Sequence, residues 1–530
     1  MILKKGISGK LNHNNNKKIE IMAAISTAVD LGRVSAIAGY AVDATLEGIK
    51  AGNLPQRVVI LAEANTANQS GLPGSLKFTN PSEVGAVGGY GSPAYHAARI
   101  LRPLSGDRLG GIPTIWIPVA ESAGATATVI TKSITGTATK NATHKLIVSG
   151  RDGLDGDSYS YAIEKGDKNT EVSQKMADAI NNVQGAPAIG TVDTAQAVFT
   201  TKWSGISSEE FNVTIDVGDD AAGLTYGEVS KVDGAGLPGI SDALAEIGDQ
   251  WTTIIVNAVS ADSTILDAIE AFIGDANSKS GRYLAVDFKP CISFFGDNTV
   301  DTLAEATAIT DARKNEMANV LCPAPNSLGF SFEAAANVAI EQALLSQNEP
   351  HSDLLGVLYP DMPTADSAGD FSDPAKRDQI VKVGSSTVKI NSESYEIVDL
   401  VTTSHPDNEP QTAVLFRWVR DLMLDWNVAY KYQLLEEIYV KGKTILEDGQ
   451  TSSAPNTISP SRWKSIISSQ LAPQLVDEGL SADADYMKES IQVQIGESNP
   501  NRFETSFKMK RTGIARVQST TNKTQFNFGG

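Results

Sequence analysis

The sequence predicts an α/β protein: a doubly wound core domain, an inserted mostly-β domain and an α+β C-terminal domain, flanked by extended N- and C-terminal arms. Three observations predict this class. Short apolar runs alternate with helical segments, a threonine-rich stretch interrupts that alternation, and both ends are basic and weakly patterned. A chain of 530 residues has room for about three such domains.

The first 56 residues differ from the rest of the chain. Residues 1–21 are rich in asparagine and lysine, without an apolar period, and are predicted to be a disordered leader. Translation is hypothesised to begin at Met22. Residues 22–56 are predicted to form an extended arm, because glycines interrupt a weak alternation of apolar residues. The apolar residues of this weak alternation include Val34, Ile37, Tyr40 and Val42.

The core domain is predicted over residues 57–120 and 234–360. Continuous apolar runs are typical of strands buried on both faces. They predict strands at 57–62, 114–119, 251–258, 283–286, 291–295, 319–322 and 354–358. A Gly-interrupted helix is predicted at 82–101, and further helices at 262–275, 301–317 and 331–346.

Two further domains are predicted around this core. Residues 121–233 favour a mostly-β insertion, with strands at 125–130, 144–148 and 211–215 and one helix at 169–182. Residues 361–518 predict an α+β domain, followed by a C-terminal arm over 519–530. The elements predicted in that domain are a hairpin at 379–402, helices at 412–440 and 459–479, and strands at 491–497, 503–511 and 514–518.

The charge of the chain is unevenly distributed. Residues 1–21 carry five lysines against one glutamate, and residues 501–530 carry six basic residues against one acidic residue. Because the whole chain has a net charge of −19, the body between these ends is strongly acidic. An acidic body repels phosphate, so no nucleic-acid partner is expected. The basic ends suit either contact with neighbouring copies or simple solvation.

Two motifs suggest ligand binding but have plainer interpretations. Residues 234–239 match the dinucleotide fingerprint, yet no buried strand precedes them, so they are interpreted as a linker with Ser241 capping the next helix. The carboxylates of Asp152, Asp155 and Asp157 could hold Ca²⁺. Because Asp-Gly pairs are ordinary turn residues, a structural turn is favoured.

No pattern of catalytic residues stands out. The sequence contains no G-x-S-x-G, H-E-x-x-H or P-loop motif, and no cofactor is expected. His96 is interpreted as a packed or surface residue, and Cys291 and Cys322 as buried, reduced thiols, with a disulfide or a reactive thiol as the alternatives. No apolar run is long enough to insert into a membrane.

The C-terminal basic segment alternates apolar and charged residues, which predicts a strand with one apolar and one cationic face. That strand either completes the chain's own sheet or also pairs with another subunit. The candidate contact residues are Phe507, Met509, Lys510, Val517, Phe526 and Phe528.

The order of these segments resembles the contractile tail sheath proteins of bacteriophages, most closely the Mu-like branch. The resemblance covers nearly the whole chain after about residue 33 and rests on several stretches. They are residues 55–61, 80–93, 115–120, 157–162, 176–181, 244–249 and 502–507.

This resemblance implies a structural protein and no enzymatic activity. Such sheaths stack as hexameric rings around a tail tube, thread their arms into sheets of adjacent subunits, and contract to drive the tube through the host envelope. The resemblance therefore makes four residues of the N-terminal arm candidate inter-subunit contacts: Val34, Ile37, Tyr40 and Val42. It implies a virion-tail protein assembled in the host cytoplasm, with tube, baseplate and tail terminator proteins as partners. By analogy with the family's attachment helix, Arg462 and Lys464 are the candidate tube contacts.

Three alternatives stay open at this point. The nearest is the sheath of a phage-derived injection particle or R-type bacteriocin, which the sequence does not separate from a phage sheath. The second is an α/β enzyme, which would need a phosphate loop or a nucleophile elbow. The third is a cell-surface adhesion protein, which would need a secretion signal.

Overall fold

The computed structural model describes residues 52–106, 109–450 and 452–524, all within one unit of the chain. The leader and nearly all of the predicted N-terminal arm lie outside the described residues. The same is true of Val34, Ile37, Tyr40, Val42, Phe526 and Phe528.

The first part of the core begins with a strand buried along its whole length. The elements here are β1 (Val58–Glu63), β2 (Leu76–Phe78), α1 (Pro81–Gly88), α2 (Pro93–Leu101) and β3 (Thr114–Val119). The Gly-interrupted helix predicted over 82–101 is divided into two helices, α1 and α2. Gly89 and Gly91 have φ of +91° and +84°, and Pro93 begins a second helix, so the chain turns between α1 and α2.

Residues 121–233 form three antiparallel sheets and one α-helix. The elements are β4 (Val129–Thr135), β5 (Ala142–Val148), β6 (Gly153–Leu154), β7 (Asp157–Ser158), β8 (Ser160–Ile163), α3 (Asn169–Asn181), β9 (Ala188–Asp193), β10 (Gln196–Thr201), β11 (Val213–Asp216) and β12 (Thr225–Val232). The two larger sheets have the orders β12-β4-β10-β9 and β11-β5-β8, and β6 pairs with β7 alone. The helix predicted at 169–182 is confirmed.

The core resumes after the insertion. Its elements are α4 (Ser241–Ala245), β13 (Ile254–Asn257), α5 (Ser263–Ile273), β14 (Ile292–Asp297), α6 (Leu303–Thr310), β15 (Asn319–Pro323) and α7 (Ser331–Asn348). The six-stranded sheet has the order β15-β14-β13-β1-β3-β2, and only β2 runs antiparallel to its neighbour.

Helices cover both faces of this sheet. Successive strand residues point to opposite faces, and Phe295 packs with Leu266 of α5 whereas Phe294 joins the main core that contains α7. The mixed α/β prediction is therefore confirmed.

Four predictions in this region are wrong. Residues 283–286 form no strand, since Val286 is 97% exposed and has no neighbouring strand. Residues 354–358 form no strand, although Leu358 makes an isolated β-bridge with Glu396. The helix predicted at 301–317 ends at Thr310, where a 3₁₀ turn follows. Ser241 is the first residue of α4 and does not cap it; the N-cap residue is Ile240.

The C-terminal region contains mainly helices and two-stranded sheets. Its elements are α8 (Pro374–Lys382), β16 (Thr387–Asn391), β17 (Ser394–Asp399), α9 (Val419–Tyr439), β18 (Thr444–Ile445), β19 (Thr457–Ile458), α10 (Pro460–Ile466), α11 (Ala472–Asp477), α12 (Ala484–Ser490), β20 (Gln492–Gly496) and β21 (Asn499–Ser506). None of the described helices is both long and apolar enough to cross a membrane.

Some C-terminal predictions also need correction. The hairpin begins only at Thr387, because Ile380 and Val381 belong to α8. The helix predicted at 412–440 begins at Val419. The last strand ends at Ser506, so the strand predicted at 503–511 is mostly absent and the strand at 514–518 does not form.

Helix α9 connects two hydrophobic cores. Met423 and Trp426 belong to the main core, whereas Leu424 and Leu435 belong to a second core with Trp463. Because one helix contributes to both, α9 links the second core to the main core.

Candidate inter-subunit surfaces

The described chain begins with contacts to α9. The Lys431 ammonium donates to Gly52 O and Asn53 Oδ1, both at 3.1 Å, and the Leu54 N–H donates to Asn427 Oδ1 at 2.8 Å. We call Gly52, Asn53 and Leu54 the N-terminal root. These contacts fix the end of the predicted N-terminal arm to one helix.

The C-terminal segment returns to the same helix. Arg511 forms a bidentate ion pair with Asp425, with Nε 2.9 Å from Oδ1. Arg420 donates from Nη1 to Thr512 O at 2.5 Å and from Nη2 to Thr512 Oγ1. Burial raises the pKa of Asp425, and Arg511 opposes that rise. We call Arg511, Thr512 and Arg516 the C-terminal root.

Arg516 is the last residue of this root. Its Nη2 lies 2.5 Å from Asp353 Oδ2, and its guanidinium lies 3.4 Å from the centre of the Trp418 ring. Burial raises the pKa of Asp353, while Arg516 acts to lower it. The next residue, Val517, is 92% exposed. The tail therefore leaves the body after Arg516, and ion pairs hold it where the sequence predicted a strand.

The other predicted C-terminal contacts mostly face their own chain. Phe507 and Met509 pack against the second core, and the Phe507 ring lies 5.5 Å from that of Tyr432. Lys510 pairs with Asp483 at 2.8 Å. The predicted alternation of apolar and cationic residues thus continues past the end of β21, although the strand does not.

Strands β20 and β21 form an isolated antiparallel hairpin. Val493 and Phe503 on one face pack against the second core, whereas Gln494 and Glu504 are paired on the other face. Among the described residues neither strand pairs with a third. A two-stranded sheet is marginal by itself, and its open edges can accept further strands.

The segment proposed to face the tube is a helix with a wide turn in its middle. Helices α10 and α11 are joined by a π-helical turn, Ile467–Leu471. Pro473 explains that turn, because proline has no N–H to donate and its ring crowds the carbonyl four residues earlier. Trp463 and Leu475 are buried, whereas Arg462 and Lys464 are exposed. Both predicted tube contacts are therefore accessible in the described chain.

The glycine-rich motif at 234–239 lies where the inserted sheets meet the core. A Cβ on Gly234 would lie 2.0 Å from Ser208 Oγ, so only glycine fits there. Nearby, the Ser207 hydroxyl donates to the buried Glu63, at the end of β1. Burial raises the pKa of Glu63 to about 8, and the Ser207 hydrogen bond opposes part of this rise.

The remaining candidate residues have structural surroundings. Asp155 lies in a turn at φ +55° and pairs with Arg99 at 2.7 Å, which confirms a structural turn. His96 is buried beside Phe330, and burial lowers its pKa. Cys291 and Cys322 are buried and free. Across 52–106, 109–450 and 452–524, no group of three or more acidic, histidine or cysteine side chains could hold a metal ion.

Comparison with known proteins identifies a relative by sequence. The chain is 24% identical over 300 residues to the Mu-like prophage FluMu tail sheath protein of Haemophilus influenzae. That match covers 56% of this chain and 58% of the relative. No protein-family model matches the chain.

Solved structures with a similar backbone are also sheath proteins. The sheath tail protein of Desulfitobacterium hafniense has a TM-score of 0.44 and 12% identity, covering 89% of this chain and all of that one (100%). The PVC sheath of an extracellular contractile injection system, in the contracted state, has a TM-score of 0.43 and 9% identity, covering 93% and 98%. The contracted helical sheath of the anti-feeding prophage has a TM-score of 0.40 and 10% identity, covering 94% and 100%.

All three TM-scores are below 0.5, so the relationship rests on the sequence match and not on the structural similarity. The sequence relative is a tail sheath protein, which is a structural protein and not an enzyme. The chain is thus a sequence relative of a Mu-like prophage tail sheath protein, as its own residues predicted.

Proposed function

We propose that this chain is the sheath subunit of a contractile phage tail. It polymerises as stacked hexameric rings around a tail tube, and contraction drives the tube through the host envelope. Its partners are further copies of itself, the tube, the baseplate and the tail terminator. The match to the Mu-like prophage sheath protein carries this proposal.

The two roots support a role for the arms. The N-terminal and C-terminal roots are both fixed to α9 by partly buried polar contacts, and exposed chain follows Arg516. Arms that pair with sheets of neighbouring subunits would keep rings connected while the bodies of the subunits move. The open hairpin β20–β21 is the acceptor that we propose for such an arm, because main-chain hydrogen bonds tolerate many side chains.

A sheath needs contacts that polymerise without closing on themselves. An arm of one copy that enters the hairpin of the next copy uses two different surfaces, so the contact is heterologous. Heterologous contacts repeat into rings or helical filaments. The acidic body and basic ends add charge complementarity between neighbours, which weakens with salt.

Electron microscopy of the purified full-length chain tests this proposal. We expect hollow tubes of regular diameter from the full-length protein, and none from a variant lacking residues 1–45. A variant lacking only residues 1–21 is the matched control and should still assemble. A further variant that ends at Arg516 keeps every contact of the C-terminal root, and therefore tests the exposed tail alone.

The tube protein provides the second arm of the experiment. If nucleation is required, adding the purified tail tube protein should produce decorated tubes from the full-length chain only. A monodisperse full-length protein that stays unassembled in the presence of the tube would contradict the proposal.

A further inference from the structure

The two roots are connected through one turn after α11. The side chain of Lys431, which is fully buried, lies 2.7 Å from Glu478 Oε2 and also donates to Gly52 O. The carbonyl of the next residue, Gly479, accepts the Thr512 hydroxyl at 2.6 Å. Consecutive residues of this turn therefore contact the lysine that holds the N-terminal root and a threonine of the C-terminal root.

Helix α9 closes this connection into a ring. Arg420, Asn427 and Lys431 follow one another at spacings of seven and four residues, which places them on one face of the helix. Arg420 binds Thr512, and Asn427 and Lys431 bind the N-terminal root. All three side chains are buried. Opening the ring at any point would leave buried polar groups without partners, which is costly.

The turn itself has little room to adjust. Gly479 has φ +71°, and a Cβ there would lie 3.1 Å from the His351 ring. The backbone of His351 is itself fixed in place, because Arg420 Nε donates to its carbonyl at 2.8 Å. The turn, α9 and the C-terminal root therefore constrain one another.

We propose that Arg420, Lys431, Glu478 and Thr512 form a coupling node. Through this node, local opening of one root is accompanied by local opening of the other. These four are positioning residues for the arms. If the proposed sheath function is correct, tension on one arm passes to the other arm of the same subunit through this node and bypasses the six-stranded sheet. The coupling itself is a property of the single chain and can be tested without assembly.

Hydrogen exchange with mass spectrometry on the unassembled full-length protein tests the coupling. The Leu54 N–H, bound to Asn427, reports the N-terminal root. The Ala482 N–H, bound to Lys510 O at 2.9 Å, reports the segment that leads to the C-terminal root. Thr512→Val keeps the shape of the side chain but removes both of its hydrogen bonds. We expect it to speed exchange about tenfold or more at both reporters.

The reciprocal variant is Glu478→Gln, which removes the charge that faces Lys431. It should likewise speed exchange at both Ala482 and Leu54. In the double variant with Thr512→Val, the loss of protection should be smaller than the sum of the losses in the two single variants. Lys441→Met, which removes an exposed ion pair to Glu437 near the end of α9, is the control and should change neither reporter.

Two results would overturn the coupling. One is Thr512→Val affecting Ala482 while leaving Leu54 unchanged, and the other is strict additivity in the double variant. Neither outcome depends on whether tubes form. Failure of the coupling is therefore distinguishable from failure of the proposed sheath function.

Discussion

Arg516 offers the sharpest test of how the C-terminal tail is held. In Arg516→Met, the guanidinium that pairs with Asp353 and stacks on Trp418 is lost. Removing one partner of a buried ion pair costs about 3–5 kcal/mol, and a cation–π contact contributes about 1 kcal/mol. Asp353 is 7% exposed but Arg516 is 19% exposed, so the pair is only partly buried.

In the variant the tail can also detach from the body. Asp353 is then exposed to water, so the free-energy cost is smaller than that of a carboxylate that stays buried and unpaired. We therefore expect the free energy that holds the tail to fall by about 2–3 kcal/mol. That loss corresponds to an increase of about 30- to 150-fold in the population of the detached tail.

Thermolysin cleavage of the tail, followed by intact mass, measures this population. When opening is fast relative to cleavage, the cleavage rate follows the detached fraction. The variant should be cleaved near Ile514 faster by the same factor. Lys523→Met removes a positive charge from the exposed part of the same tail and serves as the control. Equal cleavage rates for Arg516→Met and the unmodified protein would refute this account of the root.

The effect should depend on pH with a definite sign. Burial raises the pKa of Asp353 and Arg516 opposes this rise, so the variant should have a higher Asp353 pKa than the unmodified protein. An unpaired carboxylate with a raised pKa destabilises the attached tail above that pKa, and protonation removes the penalty as the pH falls. The ratio of cleavage rates should therefore be smaller at pH 5 than at pH 7.5.

Three further predictions concern other sites in the chain. Reversing charge with Arg462→Glu and Lys464→Glu should impair co-assembly with the tube yet spare polymerisation of the sheath alone, as judged by electron microscopy; normal co-assembly would exclude this contact. Glu63 has a pKa raised to about 8, so the folded state holds its proton longer than the unfolded state. Stability should therefore fall between about pH 4.5 and pH 8, and Glu63→Gln should flatten that slope in thermal melts. Gly479→Ala should cost about 1–3 kcal/mol in unfolding free energy, because alanine is strained at φ +71° and crowds His351; an unchanged melting temperature would contradict this.

Most of the core sheet was predictable from local sequence. Strands β1, β13 and β14 appear in the sequence as continuous apolar runs because they are buried on both faces of the sheet. The same signal failed at 283–286, where Val286 is exposed. An apolar run shows that burial would be favourable, but whether a neighbouring strand is there to bury it depends on the fold.

The candidate surfaces were predictable only in outline. The exposure of Arg462 and Lys464 agrees with the sequence prediction, and their role at the tube stays a prediction. The contacts predicted for the N-terminal arm lie outside the described residues. Alternation predicted which faces of residues 503–510 are apolar, but Phe507 and Met509 are used within the subunit.

By itself the sequence determined the α/β class, the β-rich insertion and the family resemblance, because these depend on periodicity and order along the chain. Only the tertiary structure decided which residues hold the N-terminal and C-terminal roots. Lys431 donates a hydrogen bond to Gly52, which lies 379 residues earlier in the chain, and Arg516 forms an ion pair with the distant Asp353. Such polar contacts have no period and no local motif, since any buried carboxylate or carbonyl can satisfy a buried cation. The fold alone selects which partner is brought within reach.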